Sequence, residues 1–218
     1  MRLTPLARFA ASILLVVLLY GLLLLRVPLA VEMGWDVRMA WLGQNRLLWM
    51  LGGWLTLAGV FGWMAFLVAL MHVYSPAMRV ATMLQSGLML LSAGLLIPGV
   101  IVWMALLPSA ADGEWAAFID RLALAFLGGG LFMAGMTTAW ITLDLALLQK
   151  LPWLWLLPGT IAAALWLPSP FLLPTALPAL IGLALLVGWF GFWATRRALP
   201  PVYQELSSDL LQSIRNRQ

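Results

Sequence analysis

Long apolar runs, separated by short polar or proline-containing breaks, make up most of the chain. A run of about 20 apolar residues crosses the ~30 Å hydrocarbon core of a bilayer as an α-helix, and a helix satisfies its own backbone hydrogen bonds in lipid. The runs predict six spanning helices, at residues 9–25, 45–74, 80–107, 118–150, 152–167 and 175–194. The predicted fold class is therefore all-α, a polytopic transmembrane bundle of six helices.

A different pattern follows the last run. Pro200 and Pro201 break the helix, because proline lacks the backbone N–H and clashes with the preceding turn. Apolar residues then recur at a helical period among charged ones: Val202, Leu206, Leu210 and Ile214. This spacing predicts a short amphipathic helix on the membrane surface. We expect a six-helix transmembrane domain over residues 1–199 and an amphipathic cytoplasmic tail over residues 200–218.

Two of the predicted helices carry small residues at three- or four-residue spacing, or multiples of it. The stripe on the second helix consists of Gly52, Thr56, Gly59 and Gly62, and the one on the fourth includes Gly128 and Gly135. Small side chains let helix backbones approach closely in a membrane. These positions predict tight helix pairs and a surface suited to assembly.

Composition supports the membrane class and excludes several kinds of chemistry. Of the 218 residues, 64% are hydrophobic and 9% are charged, and no stretch remains for a soluble domain. The absence of cysteine excludes disulfides, thiolate metal sites and cysteine nucleophiles. The single histidine excludes a two-histidine metal site within the chain.

The positions of the basic residues predict an orientation. Eight of them fall in the two tails and in the turns on the same side, namely Arg2, Arg8, Arg79, Lys150, Arg196, Arg197, Arg215 and Arg217. The opposite side has four: Arg26, Arg38, Arg46 and Arg121. Because lysine and arginine concentrate in cytoplasmic loops, both termini are predicted to be cytoplasmic. This scattered arrangement does not favour nucleic-acid binding.

Four polar or aromatic residues are candidates for binding a ligand or a proton. Asp144, Thr137 and Trp140 share one side of the fourth helix, and Gln85 lies on the third. An acid near hydrocarbon often marks an ion or proton path. Asp144 is also only six residues from Lys150, about 9 Å along a helix, so an interfacial position is the alternative. Gln85 could instead bond to Thr137 or to the neighbouring threonine as a packing contact.

His72 is a candidate haem ligand. Met71 or Met78 could supply the second axial ligand, although methionine also fills apolar helices. The alternative is a histidine at a helix end near the lipid head groups. Trp103 and Trp166, with Trp140, could line a pocket for a pigment, quinone or lipid, or serve as interfacial belt residues.

Asp120 and Arg121 begin the fourth helix on the side opposite the cytoplasm. Adjacent residues on a helix do not face each other, so partners are expected in the connection at residues 26–46. We interpret these charges as an exposed surface network, worth under about 1 kcal/mol per pair.

Two short segments carry a resemblance to a known class of proteins. The segments at residues 45–54, which begin with Asn45-Arg46, and at residues 118–122, which contain Asp120-Arg121, resemble helix entries in small bacterial six-helix membrane proteins of unknown function. The resemblance implies a multi-pass protein of the bacterial plasma (inner) membrane. It supplies no activity and no site residues.

Three functions agree with the sequence. The preferred one is a non-catalytic accessory, assembly or sensor subunit that acts through helix packing with a protein partner or with its own copies. The second is a carrier or binder of a small apolar or protonatable ligand in a central cavity near Asp144, and the third is a haem or pigment protein that uses His72. No hydrolase or metalloprotease motif is present, so the sequence favours a protein that is not an enzyme and holds no metal.

Overall fold

The computed structural model describes residues 3–25, 34–74, 79–147, 151–172 and 177–195, which are almost entirely helical and contain no strand. The helices are α1 (Leu3–Leu23), α2 (Trp35–Gln44), α3 (Arg46–Tyr74), α4 (Arg79–Leu106), α5 (Gly113–Leu147), α6 (Leu157–Trp166), α7 (Ser169–Leu172) and α8 (Leu177–Thr195). Short 3-10 turns occupy Leu107–Ser109 and Trp153–Trp155. The predicted amphipathic tail at residues 200–218 lies outside the described residues.

Five helices, α1, α3, α4, α5 and α8, are long and apolar enough to cross a membrane. The all-α class is thus confirmed, and the five helices suggest a membrane protein. The count of six spanning helices is not confirmed. Where the fifth span was predicted, the chain forms the 10-residue α6, which is about 15 Å long at 1.5 Å per residue. Pro158 lies in its first turn and Pro168 follows its end, so proline limits the helix on both sides.

The bundle consists of two groups of helices. In one group α1 packs against α3 and α8, and in the other α4 packs along α5. The short α6 lies between α5 and α8 and joins the groups. The Arg8 side chain donates a hydrogen bond from Nε to the carbonyl of Ala194 (3.1 Å). The start of α1 and the end of α8 therefore meet at one end of the bundle, which we call the near end.

Helices α6 and α8 run antiparallel. The indole of Trp166 donates to the carbonyl of Ala179 (3.1 Å), while that of Trp189 donates to the carbonyl of Trp155 (2.6 Å). Gly159 permits this contact, since a Cβ there would stand 2.6 Å from the Trp189 ring. The second half of α8 joins α3 through tilted and edge-on aromatic rings, and these form much of the core at the near end: Phe66, Tyr74, Trp189, Phe190 and Trp193.

Four of the six predicted packing residues face other helices of the same chain. Gly52, Gly59 and Gly62 pack against α1, where a Cβ on Gly62 would stand 2.7 Å from the Ile13 side chain. Gly135 packs against α6, since a Cβ there would lie 2.9 Å from the carbonyl oxygen of Ala163. The other two predicted packing residues are Gly128 and Thr56. Gly128 is buried on α5, and Thr56 on α3 donates its hydroxyl to the Gly52 carbonyl of the same helix.

The far end of the bundle, where α1 ends and α3 begins, has its own apolar cluster. Its buried members are Leu25, Leu42, Trp49, Leu107, Ala110, Ala116 and Ile119. Leu42 belongs to α2, and the partly buried Trp35 and Met39 of the same helix pack against the cluster. The spacing 35, 39, 42 places these three side chains on one face of α2, which explains how a short helix is fixed at this end.

Candidate functional site

Two of the four predicted ligand residues meet. Gln85 on α4 donates from Nε2 to Oδ2 of Asp144 on α5, at 2.6 Å. Gln85 is buried, and Asp144 is partly exposed. The pair joins α4 to α5 near one end of both helices. A second polar contact between these helices, from the Ser92 hydroxyl to the Gly130 carbonyl (2.8 Å), lies nearer their middle.

The other two predicted ligand residues do not join this pair through any hydrogen bond shown between described residues. Thr137 is buried and donates its hydroxyl to the carbonyl of Met133, on its own helix (2.8 Å). The neighbouring Thr138 accepts a hydrogen bond from the indole of Trp63 (3.2 Å). Trp140 is partly buried on the same helix. Of the two possibilities for Gln85, the packing contact with Thr137 or Thr138 is not formed, and its amide bonds to Asp144.

The haem candidate His72 is exposed in the last turn of α3. Met71 beside it is buried, and adjacent residues on a helix point in different directions. Met78 lies outside the described residues. Within the described ranges, no group of three or more histidine, cysteine, aspartate or glutamate side chains is placed to hold a metal ion.

A buried ion pair at the far end was not predicted as such. Arg38 of α2 donates to both carboxylate oxygens of Asp120 on α5, at 2.6 and 2.9 Å, and their side chains are only 4% and 3% exposed. The indole of Trp103 on α4 donates to the same carboxylate at 2.7 Å. The cluster thus ties α2, α4 and α5 together. A bidentate, charge-assisted contact of this kind is among the strongest hydrogen-bonding arrangements in proteins.

The location of this pair corrects the expected surface network. The partner of Asp120 does come from the connection at residues 26–46, as predicted, but both side chains are buried. Arg38 lies four residues before Leu42 and three after Trp35, so it shares the apolar face of α2 and is buried with it. That spacing is the signal in the sequence from which burial could have been inferred.

Two apolar cavities, each about half open at the surface of the bundle, lie between the helix groups, with volumes of about 200 and 230 Å³. They adjoin each other, since five residues line both: Val17, Thr56, Leu127, Leu180 and Leu183. The first cavity extends to Trp49 and Trp103 at the far end of the bundle, and the second extends to Trp63 and Trp166 in its interior. None of the four predicted ligand residues lines either cavity.

The polar side chains in the cavity walls have their hydrogen-bond donors occupied by protein acceptors. The bonds are Tyr20 Oη to Leu48 O, Thr56 Oγ1 to Gly52 O, Trp49 Nε1 to Met104 O, Trp63 Nε1 to Thr138 Oγ1, Trp103 Nε1 to Asp120 Oδ1, and Trp166 Nε1 to Ala179 O. They range from 2.7 to 3.2 Å. These side-chain donors are therefore not available to a ligand, and the surface of both cavities is almost entirely apolar.

Comparison with known proteins adds no function. No protein-family model, curated protein or solved structure matches the chain. The bacterial origin implied by the two short sequence segments stays a prediction.

Proposed function

We propose that this chain is an integral membrane protein without catalytic activity that binds an apolar molecule between its helices. The observation that carries the proposal is the pair of adjoining cavities, in which the side-chain donors are already bonded. Each cavity alone is smaller than the roughly 300 Å³ at which ligand pockets usually begin, and the two together exceed that volume. This is the binding alternative from the sequence, relocated away from Asp144.

The packing of the small residues weakens the case for an accessory or assembly subunit. Gly52, Gly59 and Gly62 are covered by α1, and Gly135 is covered by α6. They therefore need no second protein to explain them. Within the part of the chain that the structure describes, the small-residue surfaces are already covered and do not favour a protein partner or a homo-oligomer. The lipid bilayer is the partner with the best support. The exposed position of His72 likewise gives no support to haem binding.

We further propose that α6, α7 and α8 form a hairpin that enters and leaves the membrane at the near end. The antiparallel contacts of α6 and α8 support this path. The bond from Arg8 to Ala194 supports a topology with both chain ends on one side. The distribution of arginine and lysine favours the cytoplasmic side, and the plasma membrane of a bacterium is the proposed location.

The test is to identify what the full-length protein retains after purification in mild detergent. We expect mass spectrometry of the intact protein and of its organic extract to find an apolar molecule at close to one per chain. Leu180→Trp places a larger side chain in the wall shared by both cavities, and this variant should lose most of the bound molecule. Ile181→Trp is the matched control, because its neighbouring position is 44% exposed, and it should retain the molecule.

Asp144→Asn separates this proposal from the alternative site. Asp144 lines neither cavity, and asparagine keeps an oxygen that can accept from Gln85. The variant should therefore bind as the wild type does. Loss of the ligand in Asp144→Asn, or equal occupancy in Leu180→Trp and Ile181→Trp, would contradict the proposed site.

A further inference from the structure

The shape of the cavities restricts what they can hold. They follow α3 from Trp49 to Trp63, fourteen residues, or about 21 Å at 1.5 Å per residue. The space is thus long and is divided between two compartments of similar volume. A broad, flat ring system such as a haem needs its volume in one place, whereas a flexible chain can extend through both compartments.

The volume sets the size of that chain. An apolar cavity of about 150 Å³ holds one benzene molecule. On this scale the two compartments, about 200 and 230 Å³, hold on the order of 15 carbon atoms in total. This is the size of one hydrocarbon tail of a membrane lipid.

The chemistry of the walls excludes recognition of a polar head inside the cavities. A quinone carbonyl or a lipid phosphate accepts hydrogen bonds, but the hydroxyl and indole donors in the walls are bonded to protein acceptors. Burying such a head without a hydrogen-bond donor is strongly unfavourable. A hydrocarbon segment carries no such cost and gains close contact with the walls.

Building on the proposed binding function, we infer that the ligand is a single hydrocarbon tail of a membrane lipid, threaded along α3 through both cavities with its polar head outside them. The tail could belong to a phospholipid or to an isoprenoid, which share this chemistry. Recognition would then depend on the length and saturation of the tail and not on the head group.

The test uses the full-length protein, stripped of lipid in detergent and titrated with defined lipids while binding is followed by native mass spectrometry. Phosphatidylcholines with lauroyl, myristoyl, palmitoyl and stearoyl tails vary the length, phosphatidylglycerol with the same tails varies the head, and a polyprenyl phosphate supplies the isoprenoid. We expect affinity to increase several-fold from lauroyl to palmitoyl and then to level off. Phosphatidylcholine and phosphatidylglycerol with the same tails should bind with equal affinity. Tighter binding of the polyprenyl phosphate than of these phospholipids would assign the tail to an isoprenoid, and weaker binding would assign it to a phospholipid.

Position along the tail provides a second readout. A phospholipid with a photoreactive diazirine in mid-tail should label the shared wall near Thr56 and Leu180, and a diazirine at the tail end should label one extreme, near Trp49 or near Trp63. Both labels should be lost in Leu180→Trp and kept in Ile181→Trp.

The possible failures are distinguishable. Affinity that follows the head group and ignores tail length would overturn the inferred tail while leaving the cavity as a binding site. Labels found only on outward-facing positions such as Leu47 and Met83, which are 77% and 74% exposed, would remove both the tail and the proposed function.

Discussion

Replacing Asp120 with alanine should destabilise the protein more than any exposed substitution in the same region. The change removes the carboxylate that binds Arg38 through two hydrogen bonds in a site where both side chains are less than 5% exposed. Removing one partner of a buried ion pair costs about 3–5 kcal/mol. For comparison, two unit charges about 4 Å apart attract by about 4 kcal/mol at an effective dielectric constant of 20. The indole of Trp103 also loses its acceptor.

The assay is equilibrium unfolding in mixed micelles, followed by circular dichroism as the denaturing detergent increases. Asp36→Ala is the control, because Asp36 is an exposed acid in the first turn of α2, and it should change the free energy of unfolding by less than about 0.5 kcal/mol. The double variant Arg38→Met with Asp120→Leu removes both charges and should recover most of the lost stability. Equal effects of Asp120→Ala and Asp36→Ala would refute the buried pair.

Two further pairs of variants can be measured in the same assay. Gly130→Ala should destabilise the protein by about 1–3 kcal/mol, because its Cβ would lie 2.9 Å from the backbone nitrogen of Leu96. Gly129→Ala should be neutral or stabilising by up to about 1 kcal/mol, because its Cβ would make an ordinary 3.5 Å contact. A larger loss of stability in Gly129→Ala than in Gly130→Ala would contradict the α4–α5 contact. Tyr74→Phe should be neutral or stabilising, because the buried Tyr74 hydroxyl has no hydrogen-bond partner in the described structure. Tyr20→Phe should lower the free energy of unfolding by about 0.5–1.5 kcal/mol, because it removes the hydrogen bond to the Leu48 carbonyl. Equal losses of stability in the two variants would contradict this assignment of hydrogen bonds.

The hydrophobic pattern predicted the long helices well, whereas the predicted fifth span is not confirmed, because prolines limit the helix there. The run at residues 45–74 corresponds to Arg46–Tyr74, and that at residues 175–194 corresponds to Leu177–Thr195. Helix α1 begins six residues before its predicted start, because Pro5 is tolerated in a first turn. The predicted fifth span is instead a short helix between Pro158 and Pro168, which an apolar run alone does not reveal.

The candidate site was less predictable, because it depends on which side chains meet across helices. Thr137 and Thr138 were possible partners for Gln85, but the Thr137 hydroxyl bonds to its own helix, and a carboxylate is a stronger acceptor than a hydroxyl. Asp144 therefore takes that bond. The cavities arise from the relative positions of six helices, and no spacing within one helix encodes them.

The bond between Arg8 and Ala194 joins residues 186 positions apart, and this separation has a consequence for biosynthesis. Helix α1 is synthesised well before α8, the helix that covers one of its sides. Until α8 is synthesised, that side of α1 must be shielded by lipid or by the insertion machinery. A nascent chain stopped before residue 177 would therefore leave that side of α1 uncovered, and synthesis of α8 is the step that allows the bundle to close.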